Sequence, residues 1–212
     1  MKSLIEYINE SNNIELSSDG NEHGFEYVDL GLPSGTMWAT CNVGASRPED
    51  SGLLFQFGRV DGYKYGDSNK FIKKNNIPTT TSGKTYKRYN ILELEDDAAH
   101  VHMCGKWRMP TYDQLKELLD NTKYEVKIIN EVKGVLFVSN INCHQLFIPF
   151  AGFWYNGKYC YNRSYGLVWS SQVNVAYEDS AYCLYCNNSI GGPCIYVENR
   201  FYAFSVRGVF KK

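Results

Sequence analysis

The sequence predicts an α+β fold with two or three short helices and a β-rich, loop-rich C-terminal half. Helical periodicity is confined to short segments before residue 122. From Tyr124 the periodicity changes from 3.6 to 2, as in Tyr124, Val126 and Ile128, which alternate with charged or apolar neighbours over the length of a strand. Turn sequences such as Asn156-Gly157 and Gly191-Gly192-Pro193 separate the short strand candidates. Helices followed by a run of strands are typical of an α+β domain.

The size and charge of the chain limit its function. Its 212 residues suit one large domain or one domain with a short arm. With 22 Lys and Arg against 23 Asp and Glu, the formal net charge is −1. Nucleic-acid and membrane-surface binders need a basic excess, so neither partner is expected. No apolar run reaches the roughly 18 residues of a membrane span, so we expect no membrane insertion.

Residues 1–24 are predicted to form an amphipathic arm and a linker. Ser3 and Glu6 have the spacing of a helix capping box. The candidate anchoring residues are Leu4, Ile5, Tyr7 and Ile8. A helix of two turns is unstable alone in water, so it needs a surface. Three outcomes are open: it anchors to a partner, packs on its own domain, or is disordered.

The domain is predicted to span residues 25–212. Its first strands are predicted near residues 25–28, 36–40 and 53–57, and residues 61–87 read as a long polar surface insertion. One short helix is predicted within residues 92–103, ending before Gly105. Another begins at the Thr111–Gln114 capping box and runs to about residue 121. Later strands are predicted at 124–129, 134–139, 145–150, 167–171, 181–186, 194–197 and 203–209.

Residues 152–207 have the composition of a binding surface. They contain nine of the seventeen Tyr, six Asn and four of the seven Cys. Tyr offers a large amphipathic surface with two side-chain torsions to order, and Asn offers adaptable hydrogen bonds. We therefore expect this segment to form a binding face that the rest of the chain supports.

Five motifs in this order resemble a known family. They are VDLGLPSGTMWATCNVGA at residues 28–45, WRMPT at 107–111, IPFAG at 148–152, YGLVWSS at 165–171 and FSVR at 204–207. Together they are similar to the Fibrobacter succinogenes major paralogous domain, and the resemblance covers about residues 25–209. It implies a C-type-lectin-like domain. Position 208 is Gly, where the family pattern leads us to expect Pro.

The resemblance also implies a function. The C-terminal half is similar to variable regions diversified by retroelements, in which exposed positions change on a constant framework. The implied ligand-binding residues are Tyr155, Tyr159, Tyr161, Asn162, Tyr165, Tyr182, Tyr185, Asn187, Asn188, Asn199 and Tyr202. No catalytic residue and no cofactor is expected.

The N-terminal sequence MKSLIEYINES resembles the start of virion proteins in crAss-like phages. It lacks the apolar region and cleavage site of a secretory signal. The two resemblances together imply a non-enzymatic fibre or decoration protein in the head or tail of a tailed phage. Such a protein is made in the bacterial cytoplasm and resides in the virion. Residues 1–11 would contact other virion proteins, and several copies per particle would present the Tyr- and Asn-rich face to a host glycan or surface protein.

The cysteines and histidines suggest alternatives. Seven Cys without an export signal favour reduced thiols. Cys183 and Cys186 have CxxC spacing, but positions i and i+3 of a strand face opposite ways, which disfavours a zinc site. His100, His102 and Cys104 do not converge on a helix. The alternative function is an oxidase resembling formylglycine-generating enzymes, with Cys183 and Cys186 as copper ligands.

The remaining aromatic and charged residues of the motifs are expected to be structural. Trp38, Trp107 and Trp169 are predicted to lie in the core, whereas Trp154 fits either the core or the binding face. Buried Arg108 and Arg207 need partners, because an interior charge must be paired. The candidate partners are Asp29 and Asp97.

Overall fold

A computed structural model of the chain describes residues 16–64, 80–160, 163–187 and 191–212. The candidate anchoring residues Leu4, Ile5, Tyr7 and Ile8 lie outside this part of the chain. So do residues 65–79 of the predicted insertion and the candidate ligand-binding residues Tyr161, Asn162 and Asn188.

The described chain is rich in strands, as predicted, with about 45% strand and 11% helix. The helices are α1 (Ala98–Met103) and α2 (Tyr112–Asn121), with a 3₁₀ turn at Leu94–Asp96. The strands are β1 (Gly20–Glu22), β2 (Phe25–Asp29), β3 (Thr36–Asn42), β4 (Leu54–Gln56), β5 (Thr122–Ile129), β6 (Val132–Ser139), β7 (Gln145–Pro149), β8 (Phe153–Tyr155), β9 (Lys158–Cys160), β10 (Tyr165–Val173), β11 (Ser180–Asn187), β12 (Cys194–Asn199), β13 (Ala203–Ser205) and β14 (Arg207–Lys211).

The strands form three sheets. The first has the order β1-β2-β3-β14, so the C-terminal strand returns to pair with the start of the domain. The second has the order β12-β11-β10-β13-β8-β9, with β4 paired to β13. The third is the meander β5-β6-β7. This topology places the Tyr-rich C-terminal segment in the second sheet, whose central strands are buried.

The two predicted helices are confirmed, with one difference. In α2, the Thr111 hydroxyl accepts from the amide of Gln114, and the Gln114 side chain accepts from the amide of Thr111, which completes the capping box. The segment 92–103 is divided instead of continuous. Asp97 ends the 3₁₀ turn and accepts from the amide of His100 at 2.9 Å, so it is the N-cap of α1.

Three strand predictions need correction. Gly20–Glu22, within the predicted linker, pairs with β2 as strand β1. Residues 203–209 form two strands, because the chain leaves the second sheet after Ser205 and joins the first sheet at Arg207. Phe153–Tyr155 and Lys158–Cys160 form a hairpin around the recognised Asn156-Gly157 turn, although these residues were not predicted as strands.

The core contains the motif tryptophans, as predicted. Trp38, Trp107 and Trp169 are fully buried. The indole N–H of Trp107 donates to the carbonyl of Glu22 at 2.9 Å, and that of Trp169 donates to the carbonyl of Phe55 at 2.8 Å. Trp154 is also buried, so it belongs to the core and not to an exposed face.

Arg207 is fully buried, but the predicted pairing with Asp29 or Asp97 is wrong. Its guanidinium donates to the Oδ1 of Asn42 and to three backbone carbonyls. The carbonyls belong to Ala39, Thr40 and Phe147. Burial lowers the pKa of Arg207 to about 10. The side chain therefore ties β14 to β3 and β7 through backbone acceptors, which a sequence pattern does not reveal.

The two aspartates and Arg108 have other roles. Asp29 accepts from the amide of Gly31 at 2.8 Å, in the turn after β2. Asp97 caps α1 and also accepts from the amide of Met109 at 2.9 Å. Arg108 bonds to the Nδ1 of His100 at 2.6 Å and to the carbonyl of Gly105 at 3.3 Å. Each of these side chains fixes a loop or helix end.

The glycine at position 208 has a packing reason. A Cβ there would lie 2.7 Å from the Sδ of Met103 and 2.9 Å from the Cε3 of Trp107. Both residues are buried, so the surrounding atoms have little room to retreat. A larger residue at 208 would therefore have to move α1 or the indole.

Candidate binding face

The candidate site lies on the second sheet, at one end of the side that contains Trp169. On β10, Leu167 and Trp169 are buried on this side, and on β11 Cys183 is buried in the same hydrophobic cluster. Tyr165 and Tyr185 occupy the alternating positions beyond them and are half-buried. The strand period thus continues the core into a surface on which aromatic rings are partly exposed.

Six aromatic side chains there form a continuous series of ring contacts, which we call the aromatic row. In spatial order its members are Tyr155, Tyr202, Phe153, Tyr165, Tyr185 and Tyr196. Successive ring centroids are 4.9, 5.6, 6.4, 5.6 and 5.5 Å apart. The row crosses the sheet from β8 to β12, and every member is half-buried except Tyr196, which is 52% exposed.

The polar atoms of the row suit hydrogen bonding to a ligand. The Nδ2 of Asn187 donates to the hydroxyl of Tyr185 at 3.3 Å. Burial raises the pKa of Tyr185, and Tyr165 adds to this effect. Burial, followed by the negative charge of Glu198, raises the pKa of Tyr202 to about 12. The hydroxyls of Tyr185 and Tyr202 therefore keep their protons at neutral pH, and each can donate as well as accept.

Four predicted tyrosines, Tyr155, Tyr165, Tyr185 and Tyr202, lie in the row, and Asn187 lies beside it. Three other predicted residues do not. Tyr182 is on the opposite side of β11 from Tyr185 and packs on Tyr112 of α2, with centroids 4.7 Å apart. The Tyr159 hydroxyl donates to the carbonyl of Ala151, and its ring packs on Trp154. Asn199 is in register with Ser180, at the far end of β11.

Sequence reasoning missed three residues of this surface. Phe153 lies two positions before Tyr155 on β8, so strand alternation could have placed it on the same side. Tyr196 is in register with Cys183 on β11. Glu198 shares its side of β12 with Tyr196, and burial raises the pKa of its carboxyl group. Finding Tyr196 and Glu198 required the register of β12, which no local signal gives.

The two cysteines of the CxxC sequence do not form a pair. Both are fully buried, but Cys183 lies in the cluster of Trp169, whereas Cys186 lies in the cluster of Trp38 on the other side of β11. Burial raises the pKa of both thiols, which opposes the thiolate form that binds metals. The geometry therefore does not position these sulfurs to hold one copper ion between them.

The histidines have structural contacts. The Nε2 of His102 bonds to the carbonyl of Val60 at 2.8 Å, and the Nδ1 of His100 bonds to Arg108. Burial, followed by the charge of Arg108, lowers the pKa of His100. Among the described residues, no group of three or more His, Cys, Asp or Glu side chains is placed to hold a metal ion.

A concavity of about 320 Å³ lies elsewhere, between β2, β3 and the loop after β3. Its lining includes Phe25, Cys41, Asn42 and Met103 but no member of the aromatic row. Two of its polar side chains already hydrogen-bond within the domain: Asn42 bonds to Ser51 and Arg207, and the Thr40 hydroxyl donates to the carbonyl of Glu26 at 3.4 Å. The aromatic row is therefore the stronger candidate site.

Comparisons with protein-family models, with curated proteins and with solved structures returned no match. Of the helices in the described ranges, none combines the length and apolar character needed to cross a bilayer.

Proposed function

We propose that this protein is a non-enzymatic binding protein that presents the aromatic row to a host-surface glycan or protein. The observation that carries the proposal is the continuous series of six rings, joined by five ring contacts, across the second sheet. Partly exposed aromatic rings offer large contact area at a low cost in side-chain entropy. Their faces also suit stacking on a flat apolar ligand surface.

Two features of the domain support a display function. Two members of the row, Tyr165 and Tyr185, lie on β10 and β11, whose other residues are mostly buried, so the backbone at the centre of the row is held in place from beneath. Motif residues Trp38, Trp169 and Arg207 are fully buried, whereas the members of the row are half-buried or exposed, and four of them pack on the outside of the Trp169 cluster. A surface that can change on a constant core is the arrangement that the motif resemblance implies, and on this basis we propose a C-type-lectin-like fold.

We further propose that the protein resides in a phage particle, attached through residues 1–11 to other virion proteins. The resemblance of the N-terminal sequence to virion proteins supports this location. Many copies per particle would raise the avidity of a face whose single-site affinity is modest. Deleting residues 1–11 is expected to leave the domain folded and to remove the protein from purified particles. Retention of the shortened protein at the normal copy number would refute this attachment.

Binding by the row is tested with purified protein and host cells. The variant Tyr185→Ala/Tyr196→Ala removes two neighbouring rings at the exposed end of the row. We expect it to lose at least ten-fold in cell binding, because each ring contributes contact area and a hydroxyl. Tyr177→Ala is the matched control, since Tyr177 is 66% exposed, lies in the same C-terminal segment and is not part of the row. Equal binding by the two variants would show that the face is misplaced.

A further inference from the structure

Strand β5 has an edge that no described strand covers. It is eight residues long and is the outer strand of the β5-β6-β7 sheet. Its partner within the described chain is β6, in the register Tyr124↔Phe137, Val126↔Val135 and Ile128↔Lys133. An edge strand of this length presents free backbone donors and acceptors, which readily pair with another strand.

The even-numbered positions of β5 form an apolar stripe in solvent. Tyr124 is 51% exposed, Val126 is 41% exposed and Ile128 is 56% exposed. Their neighbours Phe137 and Val135 on β6 are fully buried. This side of the sheet therefore continues beyond the core and ends with three partly exposed apolar side chains, of which Tyr124 also lies against Gly192 in the turn before β12. Contiguous exposed apolar residues of this kind mark interaction surfaces.

The odd-numbered positions carry charges of alternating sign. Lys123, Glu125 and Lys127 lie on the other side of β5, and Glu125 Oε1 is 3.4 Å from Lys127 Nζ. In an antiparallel pair, residues directly opposite each other lie on the same side. A second copy of β5 can therefore pair with the first only if even positions face even positions.

Charge complementarity and strand length together select one register. With a two-fold axis through Val126, Tyr124 of each copy faces Ile128 of the other, and Glu125 faces Lys127. The stripe then becomes continuous, and both charge pairs are attractive. With the axis at Glu125, two glutamates face each other and Lys123 faces Lys127, which is repulsive. An axis at Tyr124 would set Lys123 opposite Glu125, which is attractive, but it would pair only residues 122–126, because residue 121 belongs to α2. The self-complementarity of the first register is what a symmetric dimer interface requires.

We propose that two copies of this chain associate through antiparallel pairing of β5 about an axis at Val126. The two three-stranded sheets would then form one six-stranded sheet. This surface is separate from the aromatic row, so a dimer would carry two rows, and the inference does not depend on the proposed function.

A charge-swap cycle tests the register. Glu125→Lys and Lys127→Glu each place like charges across the axis, so each should weaken self-association by at least ten-fold in analytical ultracentrifugation. The double variant, and an equimolar mixture of the two single variants, should associate again, because opposite charges then face each other. Lys87→Glu is the control for the change in net charge, since Lys87 is exposed and lies 35 residues before the start of β5. Circular dichroism checks that each variant is folded.

Two results would overturn the proposal. One is a full-length protein that sediments as a monomer at high micromolar concentration. If deletion of residues 1–15 then produced a dimer, the occupant of the edge would be the chain's own N-terminal segment. Leu16 packs beside Ile129 at the end of β5, so that segment is the nearest alternative. The second contradicting result is a dimer whose dissociation constant is the same in the unmodified protein, Glu125→Lys, Lys127→Glu and the double variant. That result would place the interface elsewhere.

Discussion

Replacement of Arg207 should destabilise the domain more than any replacement in the aromatic row. Arg207→Met keeps a long unbranched side chain but removes all donors of the guanidinium. The Oδ1 of Asn42 and the carbonyls of Ala39 and Phe147 each lose a bond of 3.0 Å. Ala39, Asn42 and Phe147 are themselves buried, as is Arg207. Water therefore does not replace the donors that the substitution removes.

The magnitude follows from two opposing effects. Burial lowers the pKa of Arg207 from 12.5 to about 10, so removing the charge relieves roughly 3 kcal/mol of desolvation. Hydrogen bonds to a charged donor contribute about 1.5–3 kcal/mol each, and an unpaired buried acceptor costs about 1–3 kcal/mol. With four acceptors affected, the lost bonds exceed the relief. Four bonds at about 1.5–3 kcal/mol each amount to roughly 6–12 kcal/mol, so we expect a net loss of at least about 3 kcal/mol, consistent with the cost of breaking other buried charged contacts.

The assay is equilibrium urea unfolding followed by tryptophan fluorescence, with Arg207→Lys as a second variant. Lysine retains the charge but cannot donate in the planar fork that reaches both Asn42 and Phe147. The loss of unfolding free energy in Arg207→Lys should therefore be at least about half of the loss in Arg207→Met. If Arg207→Met were as stable as the unmodified protein, the guanidinium would not be what ties β14 to β3 and β7.

Three further substitutions test local features. Thr111→Ala removes the capping-box hydroxyl and should cost about 1 kcal/mol of unfolding free energy, measured by urea denaturation; no loss would mean that α2 is fixed by packing alone. Gly208→Ala places a methyl group against Trp107 and Met103 and should cost about 1–3 kcal/mol; an unchanged melting temperature would show that these groups can retreat. Burial raises the pKa of Asp97 from 3.8 to about 6, so the folded state retains a proton that the unfolded state releases. The unfolding free energy of the unmodified protein, minus that of Asp97→Asn, should therefore fall by roughly 3 kcal/mol as the pH rises from about 4 to 6. A difference that does not change with pH would contradict the raised pKa.

The features predicted correctly from the sequence are those with local signals. The capping box at Thr111 is a spacing of three residues, and its helix begins where the spacing predicts. The strands predicted between residues 124 and 150, and those near 167–171, 181–186 and 194–197, follow from local patterns and turn sequences. The burial of Trp38, Trp107 and Trp169 follows from their place in apolar strand or motif segments.

Most of the errors concern contacts between distant parts of the chain, and one was avoidable from the local pattern. Residues 203–209 have the pattern of one strand, and only their pairing with two different sheets divides them at Val206. The carbonyl partners of Arg207 have no sequence signature, because any residue has a carbonyl. Tyr182 and Tyr185 could have been separated by alternation, since three positions along a strand reverse the side. Tyr196 entered the site through the pairing of β12 with β11, which is not a local property.

The central claim is that folding and display are separate, so that the rings of the row can change while the core persists. The most direct test compares unfolding free energy and host-cell binding in one variant, Tyr165→Ser/Tyr185→Ser/Tyr196→Ser. We predict a loss of at most about 1 kcal/mol per half-buried ring, a folded domain with native tryptophan fluorescence, and cell binding reduced to background. An unfolded variant, or a folded one that still binds cells at the normal level, would contradict the claim.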